Sequence, residues 1–278
     1  MKSSLNINQL SSKRSFNING YLFEYEKPLV MGILNMTPDS FYDGGRYNSI
    51  DSAISRVEGM INNGASIIDI GGCSTRPGSD IITIEEEWKR IGGIIKECSI
   101  RFKDTLFSVD TFRSEIAKRS LEEGIHIIND VSGGSLDSEM FDIISKYNRP
   151  YILMHLKGTP KDMMSKTNYD DLILDLLNYF RKKIHELNAL GINDIILDPG
   201  FGFAKDFEQN FEILNNLNSF KIFDLPILVG LSRKSFIKKK YGVDNSLKGT
   251  LELNKIAIEN GPEIIRVHDV KEHVSLIK

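Results

Sequence analysis

Short runs of β-branched and other apolar residues recur along the chain, separated by amphipathic stretches. The apolar runs predict strands at "LVMGILN" (29–35), "SIIDIGG" (66–72), "TLFSVD" (105–110), "HIIND" (126–130), "YILMHL" (151–156), "DIILDPG" (194–200), "PILVGLS" (226–232) and "EIIRVHD" (263–269). Helical spacing predicts helices within 51–65, 83–99, 113–124, 169–191 and 249–261, most of them stopping at a glycine. Thr83 and Glu86 spell a capping box at one helix start. About eight strand–helix units result, the number that closes a (β/α)8 TIM barrel, and strands apolar on both faces suit a parallel barrel. The other α/β candidate is an open doubly wound sheet, but no G-x-G-x-x-G follows the first strand. Ahead of the barrel, Asn19-Gly20 between apolar residues predicts an N-terminal hairpin within 16–27. No linker or low-complexity segment divides residues 1–278, so one domain is expected.

Composition narrows the class. A net charge of −3 over 278 residues gives no basic field for nucleic acid or an anionic membrane. No apolar run is long enough to span a bilayer, and the first residues show no signal core, so a cytoplasmic protein is expected. Two cysteines, Cys73 and Cys98, are too few for a disulfide framework or a metal cage.

Candidate chemistry gathers at the predicted strand ends, where barrels of this kind keep their sites. Those ends carry Asn35, Asp69, Asp110, Asn129 and Asp130, His155, Asp198, Ser232 to Ser235, Arg266 and His268. Any one of them alone reads as a helix cap or a turn residue. Together on one rim, carboxylates, carboxamides and cations exceed what capping requires. Asp110 and Asp198 end apolar strands and suit a flat heterocycle that offers paired N–H donors, with Asn129 able to donate and accept. Asp69, inside its strand, is expected to be structural. Ser232, Arg233, Lys234, Ser235, Arg266 and His268 surround the ends of the last two strands, a frequent phosphate site. His155 is as readily a satisfied rim histidine as a functional one, and His126, His185 and His273 are expected to be non-catalytic. Cys73 has no partners in a nucleophile's order. Residues 35–47 and 71–80 form long loops rich in Gly, Pro, Ser and Thr, able to close over a substrate.

The stretches "MGILNMTPDSFYDGG", "IIDIGGCSTRPGS", "SVDTFRSEIAKRSLEEGIHIINDVSGG", "ILMHLKGTP", "ILDPGFGFAKDFEQN", "LVGLSRKSFI" and "IIRVHDV" resemble, in order, the signatures of bacterial dihydropteroate synthases. The resemblance covers nearly the whole chain. It implies an enzyme of folate synthesis that joins 6-hydroxymethyl-7,8-dihydropterin pyrophosphate to p-aminobenzoate, with Mg²⁺, in a family inhibited by sulfonamides and commonly homodimeric. It further implies a pterin site at Asp110, Asn129, Asp198 and Lys234, beside Met154 and Phe203. Pyrophosphate and metal would meet Asn35, Arg76, Arg266 and His268, with Asp39 nearby. The p-aminobenzoate would meet Thr75, Pro77, Phe203, Lys234 and Ser235. Two other readings stand beside it: a pterin-dependent methyltransferase domain on the same barrel, and a paralogue that binds pterin without catalysis. The chain departs from the resemblance at Cys73, at the basic "SFIKKKYG", at "GTLELNKIAIENG" and in a short terminal helix.

Overall fold

The computed structural model describes residues 14–18, 20–37, 46–75, 78 and 82–277. Two strands, β1 (Arg14–Ile18) and β2 (Tyr21–Tyr25), pair antiparallel as the expected hairpin. Asn19 of the expected turn lies outside the described residues, and Gly20 takes φ +86°, a left-handed conformation open to glycine.

Eight parallel strands follow: β3 (Leu29–Asn35), β4 (Ile67–Gly71), β5 (Leu106–Asp110), β6 (Ile127–Asp130), β7 (Tyr151–Met154), β8 (Ile195–Asp198), β9 (Leu228–Val229) and β10 (Ile264–Val267). Their order, β8-β7-β6-β5-β4-β3-β10-β9, wraps the sheet round on itself as a TIM barrel. The seam between β8 and β9 is joined by a bridge between Leu197 and Ile227 and a 2.8 Å bond from Leu197 N to Pro226 O. The strand expected over 226–232 is thus short: Pro226 has no N–H for a ladder, and the chain turns away at Gly230.

Alternation along the strands decides what faces inward. Val30, Ile68, Phe107, Ile128, Leu153, Leu197, Val229 and Ile265 pack outward in the cluster beneath the helices. Met31, Ile67, Leu106, Ile127, Ile152, Ile196, Leu228 and Ile264 form a second cluster inside the lower barrel. The hairpin closes it with Phe16, Ile18 and Tyr25. Arg14 holds Glu263 at 2.5 Å, and Asn17 N donates to Asp194 Oδ1 at 2.8 Å, tying the hairpin to the barrel floor.

The long helices are α1 (Arg46–Asn62), α2 (Ile84–Arg101), α3 (Ser114–Glu122), α5 (Leu172–Ala189) and α8 (Ser246–Glu259). Shorter ones, α4 (Met140–Tyr147), α6 (Phe207–Asn215), α7 (Ser235–Tyr241) and α9 (Val270–Val274), lie between. The expected capping box at α2 is only half made. Thr83 accepts from Glu86 N at 3.2 Å, but the Glu86 carboxylate turns to Arg90 instead. The complete box caps α6, between Asp206 and Gln209. Among the described residues, no helix is long and apolar enough to cross a membrane.

Candidate active site

Two residues above the apolar floor, the same alternation sends polar side chains inward. Ile67 gives way to Asp69, Leu106 to Ser108 and then Asp110, Ile127 to Asn129, Ile196 to Asp198, and Ile264 to Arg266. Asp110, Asn129, Asp198 and Arg266 sit toward the C-terminal ends of their strands, the functional end of such a barrel, with Asp69 and Ser108 at mid-strand beneath them.

Asp69 is the hub of this layer. Fully buried, it accepts from Ser108 Oγ at 2.5 Å, Asn129 Nδ2 at 2.9 Å and Arg266 Nε at 2.6 Å. Its structural role is real, yet what it organises is the site: it orients a carboxamide and a guanidinium at once. Arg266 reaches onward through Nη2 to Asp110 Oδ2 at 2.7 Å. One cation is thereby shared by two carboxylates. Burial acts to lower the Arg266 pKa, but Asp69 and Asp110 raise it further, so the guanidinium stays charged. Burial raises the Asp110 carboxyl to about 7, against the pull of Arg266. Its second oxygen, Oδ1, is buried without a hydrogen-bond partner.

Asp198 lies across the mouth. Its Oδ1 accepts from Gly200 N at 2.7 Å, and burial raises its carboxyl above the ordinary range while Lys234 opposes. The Lys234 ammonium turns inward, donates to Phe201 O and sits 4.3 Å from the centre of the Phe203 ring. Burial lowers it to about 8, with Asp198 opposing. Met154, Cys73, Phe112, Val131 and Ala204 form an apolar wall, with Phe203 and Ile82 packed on it.

The adjacent cations after β9 separate. Arg233, at φ +55°, points outward and grips Asp269 by its fork, Nε to Oδ2 at 2.9 Å and Nη2 to Oδ1 at 2.6 Å. It does not join the anion cluster expected from sequence. Ser232 is buried beside His268, its Oγ 2.9 Å from His268 Nδ1 and accepting from His268 N at 3.2 Å. Burial and Arg266 lower the imidazole to about 4, so it is neutral at pH 7 and not a cation. In the tautomer in which the Ser232 hydroxyl donates to Nδ1, the ring proton sits on Nε2. Ser235 opens α7 and is exposed. Asn35 ends β3, with Oδ1 facing Gly71. A side chain at Gly71 would meet both Asn35 Oδ1 and the Asp110 Cβ at 3.5 Å. Thr75 stands at the start of the second loop, half-buried, while Arg76, Pro77 and Asp39 lie outside the described residues.

His155 is buried and satisfied by Lys205 at 3.0 Å. Burial holds its pKa well below the ordinary value, so it is neutral too. Sequence reasoning missed two groups. Lys205 is a fully buried lysine on the turn after β8. Glu87, also fully buried, accepts from Thr111 Oγ1 at 2.8 Å and from Arg113 Nη1 at 2.6 Å, and Arg113 also donates to Ile82 O. Alternation along β4 and β5 would have placed Asp69 beside Ser108; no comparable signal marks Lys205 or Glu87.

Residues 31–268 match the family model described as pterin binding enzyme. The dihydropteroate synthase of Escherichia coli (strain K12) is 42% identical over 263 residues, covering 93% of each chain. The chain belongs to the dihydropteroate synthase family. Solved structures agree with this membership. A Yersinia pestis dihydropteroate synthase with a sulfonamide drug complex superposes with a TM-score of 0.88 at 38% identity, covering 95% of this chain and 96% of that one. A Clostridium difficile dihydropteroate synthase, solved in the presence of pteroic acid, gives 0.84 at 39% identity over 90% and 94%. In this member of the dihydropteroate synthase family, the polar layer above the barrel floor is where a pterin enzyme's chemistry belongs.

Proposed function

We propose that the chain condenses 6-hydroxymethyl-7,8-dihydropterin pyrophosphate with p-aminobenzoate, yielding 7,8-dihydropteroate and pyrophosphate in folate synthesis. The observation that carries the reading is the unpartnered, buried Asp110 Oδ1, in a mouth that also holds Asp198 and Lys234. A buried acceptor with no donor is costly unless a ligand supplies one.

The remaining valences suit a pterin. Asn129 spends its NH₂ on Asp69, which leaves its carbonyl oxygen to accept from the ring. Asp198 spends Oδ1 on Gly200 N, which leaves the other oxygen for an amidine-like N–H edge. Lys234 supplies a donor beside the Phe203 ring. In the reaction, the bond from the exocyclic methylene carbon to the pyrophosphate oxygen breaks, and its electron pair leaves with pyrophosphate. The lone pair of the p-aminobenzoate amine forms the new C–N bond, and the nitrogen then loses a proton. Positive charge spread into the pterin ring as the carbon–oxygen bond stretches falls beside Asp110, which stabilises it as a carboxylate. Arg266, fixed by two carboxylates, and the Nε2–H of His268 are donors for the departing pyrophosphate. Thr75 and Ser235, with Arg76 and Pro77, are assigned to the p-aminobenzoate side. Positioning, not a strong base, is what a weakly basic aromatic amine needs.

Magnesium is the proposed cation. Among the described residues, no group of three or more His, Cys, Asp or Glu side chains is placed to cage a metal. A single neutral oxygen, Asn35 Oδ1, near Asp110 fits an ion that takes its other ligands from water and the substrate's phosphates. When bound, Mg²⁺ would neutralise charge on the pyrophosphate. A homodimer is also proposed, on the resemblance to a commonly homodimeric family. Cys73 and Cys98, both free, suit the reducing cytoplasm.

The test is pyrophosphate release from the purified chain with Mg²⁺ and the pterin pyrophosphate, with and without p-aminobenzoate. Release coupled to dihydropteroate is expected. Pterin binding with no product would show an inactive paralogue and sink the synthase reading. Light scattering at micromolar concentration tests the dimer, and a monomeric mass would remove it.

A further inference from the structure

Lys205 is 1% exposed, and its ammonium forms no ion pair with any carboxylate among the described residues. Such a charge is expensive to bury, and an apolar side chain in the same slot would serve packing better. Its two bonds are to neutral acceptors: Phe203 O at 2.9 Å and His155 Nδ1 at 3.0 Å. His155 is itself fixed, edge-on to Tyr179 with ring centres 4.8 Å apart. Lys205 therefore bolts the turn after β8 to the end of β7.

That turn needs a bolt. Gly200 lies at φ +74°, and a Cβ there would come within 2.2 Å of His155 O, so the two backbones are pressed together. Ala204 sits at φ +49°, a left-handed conformation unfavourable to alanine. Tyr169 OH donates to Ala204 O at 2.8 Å, and Gly202 N to Asn210 Oδ1 at 2.6 Å. On the other side, Lys234 donates to Phe201 O and lies over Phe203. The turn is thus held between two lysines, one in the mouth of the site and one behind it.

We propose that Lys205 is a positioning residue for pterin binding, which fixes the Gly200–Ala204 turn so that Phe203 and Asp198 stand where the heterocycle needs them. Lys205 touches no substrate; it acts through Phe203 and the turn. Burial, opposed by Asp198, lowers its ammonium to about 7. The inference rests on the pterin-site reading above.

Its test is calorimetry with 6-hydroxymethylpterin, together with steady-state kinetics, on Lys205→Met and Lys205→Gln. Lys205→Met keeps the length and removes both donors; pterin binding about tenfold weaker is expected, with KM for the pterin pyrophosphate raised equally and kcat changed less than about threefold. Lys205→Gln keeps an N–H for Phe203 O and recovers pterin affinity to within about threefold of the parent. A folded Met variant with unchanged pterin affinity, or a Gln variant as weak as Met, overturns the proposal. Should Lys205→Met fail to fold, Tyr169→Phe removes the neighbouring bond to Ala204 O: about threefold weaker pterin binding is expected, and unchanged binding overturns the idea. A parent chain that binds the pterin yet forms no dihydropteroate sinks the synthase reading alone. One that does not bind it sinks both.

Discussion

The two mouths of the barrel are built by the same alternation and come out opposite. At the floor, inward positions are Met31, Ile67, Ile127, Ile152 and Ile196, sealed by Phe16, Ile18 and Tyr25 of the hairpin. At the top, inward positions are Asp69, Asp110, Asn129, Asp198 and Arg266, and one guanidinium is shared by two carboxylates. The floor gains free energy from burial, and the top spends it. Buried charge is tolerated at one end because apolar closure at the other supplies the difference. Activity and stability should therefore respond to substitutions at different ends.

The largest expected effect is at the top. Asp110→Asn should lower dihydropteroate formation by about 10²–10³, because a charge-stabilising carboxylate is lost. The same substitution should change how stability depends on pH. The folded protein holds the Asp110 proton up to about 7, whereas the unfolded chain releases it near the ordinary 3.8. This group's contribution is thus full below about 4 and lost as pH rises through about 7. Thermal melts between pH 5 and 8 should show Asp110→Asn gaining on the parent as pH rises. A constant gap would mean that Asp110 is ionised throughout that range.

Next comes the floor. Phe16→Ala should cost about 3 kcal/mol in denaturant unfolding, for a buried aromatic truncated in a closed cluster, while kcat of the folded fraction stays within about twofold. A large fall in kcat without loss of stability would break the division between the ends. A smaller effect is the alkaline limb. With Lys234 lowered to about 8, KM for the pterin pyrophosphate should rise about tenfold per pH unit above that value, as the ammonium deprotonates. Lys234→Met should flatten the limb, and an unchanged profile would assign it to another group. The smallest is Arg14→Ala. It removes one arm on Glu263, which keeps its bond from Ile227 N, and should cost about 1 kcal/mol with no change in turnover.

Much of this contrast was legible in the sequence, because strand runs and strand-end residues both obey position. All eight barrel strands lie within the predicted runs, since β-branched runs between glycine stops leave little choice, but β7, β8, β9 and β10 stop short of the polar and glycine residues that end those runs. The short helices α4 and α6, of eight and nine residues, were not predicted, because so few turns leave little period to show, whereas the helix start at Ser235 and the short terminal helix were expected. In the site, Asp110, Asn129, Asp198, Lys234 and Arg266 converge as their strand ends suggested. Arg233 escaped prediction because the sign of one φ angle turned it to Asp269. His268 was counted as a cation because its burial beside Arg266 is a tertiary fact. Glu87 sits in "EEE", which reads as a solvated helix start, and only the fold makes its neighbour Arg113 a partner.

The seam between β8 and β9 bears on the making of the molecule. Chains emerge from the ribosome N-terminus first, and domains fold as units. The closing strands β9 and β10 are made after the other six of the ring, and they bring Lys234, Arg266 and His268 with them. A nascent chain can complete the hairpin and six strands of the ring, and still leave Asp69 and Asp110 facing each other with no cation between them. The stretch that adds β9 and β10 therefore supplies closure and the counter-charge of Arg266 together.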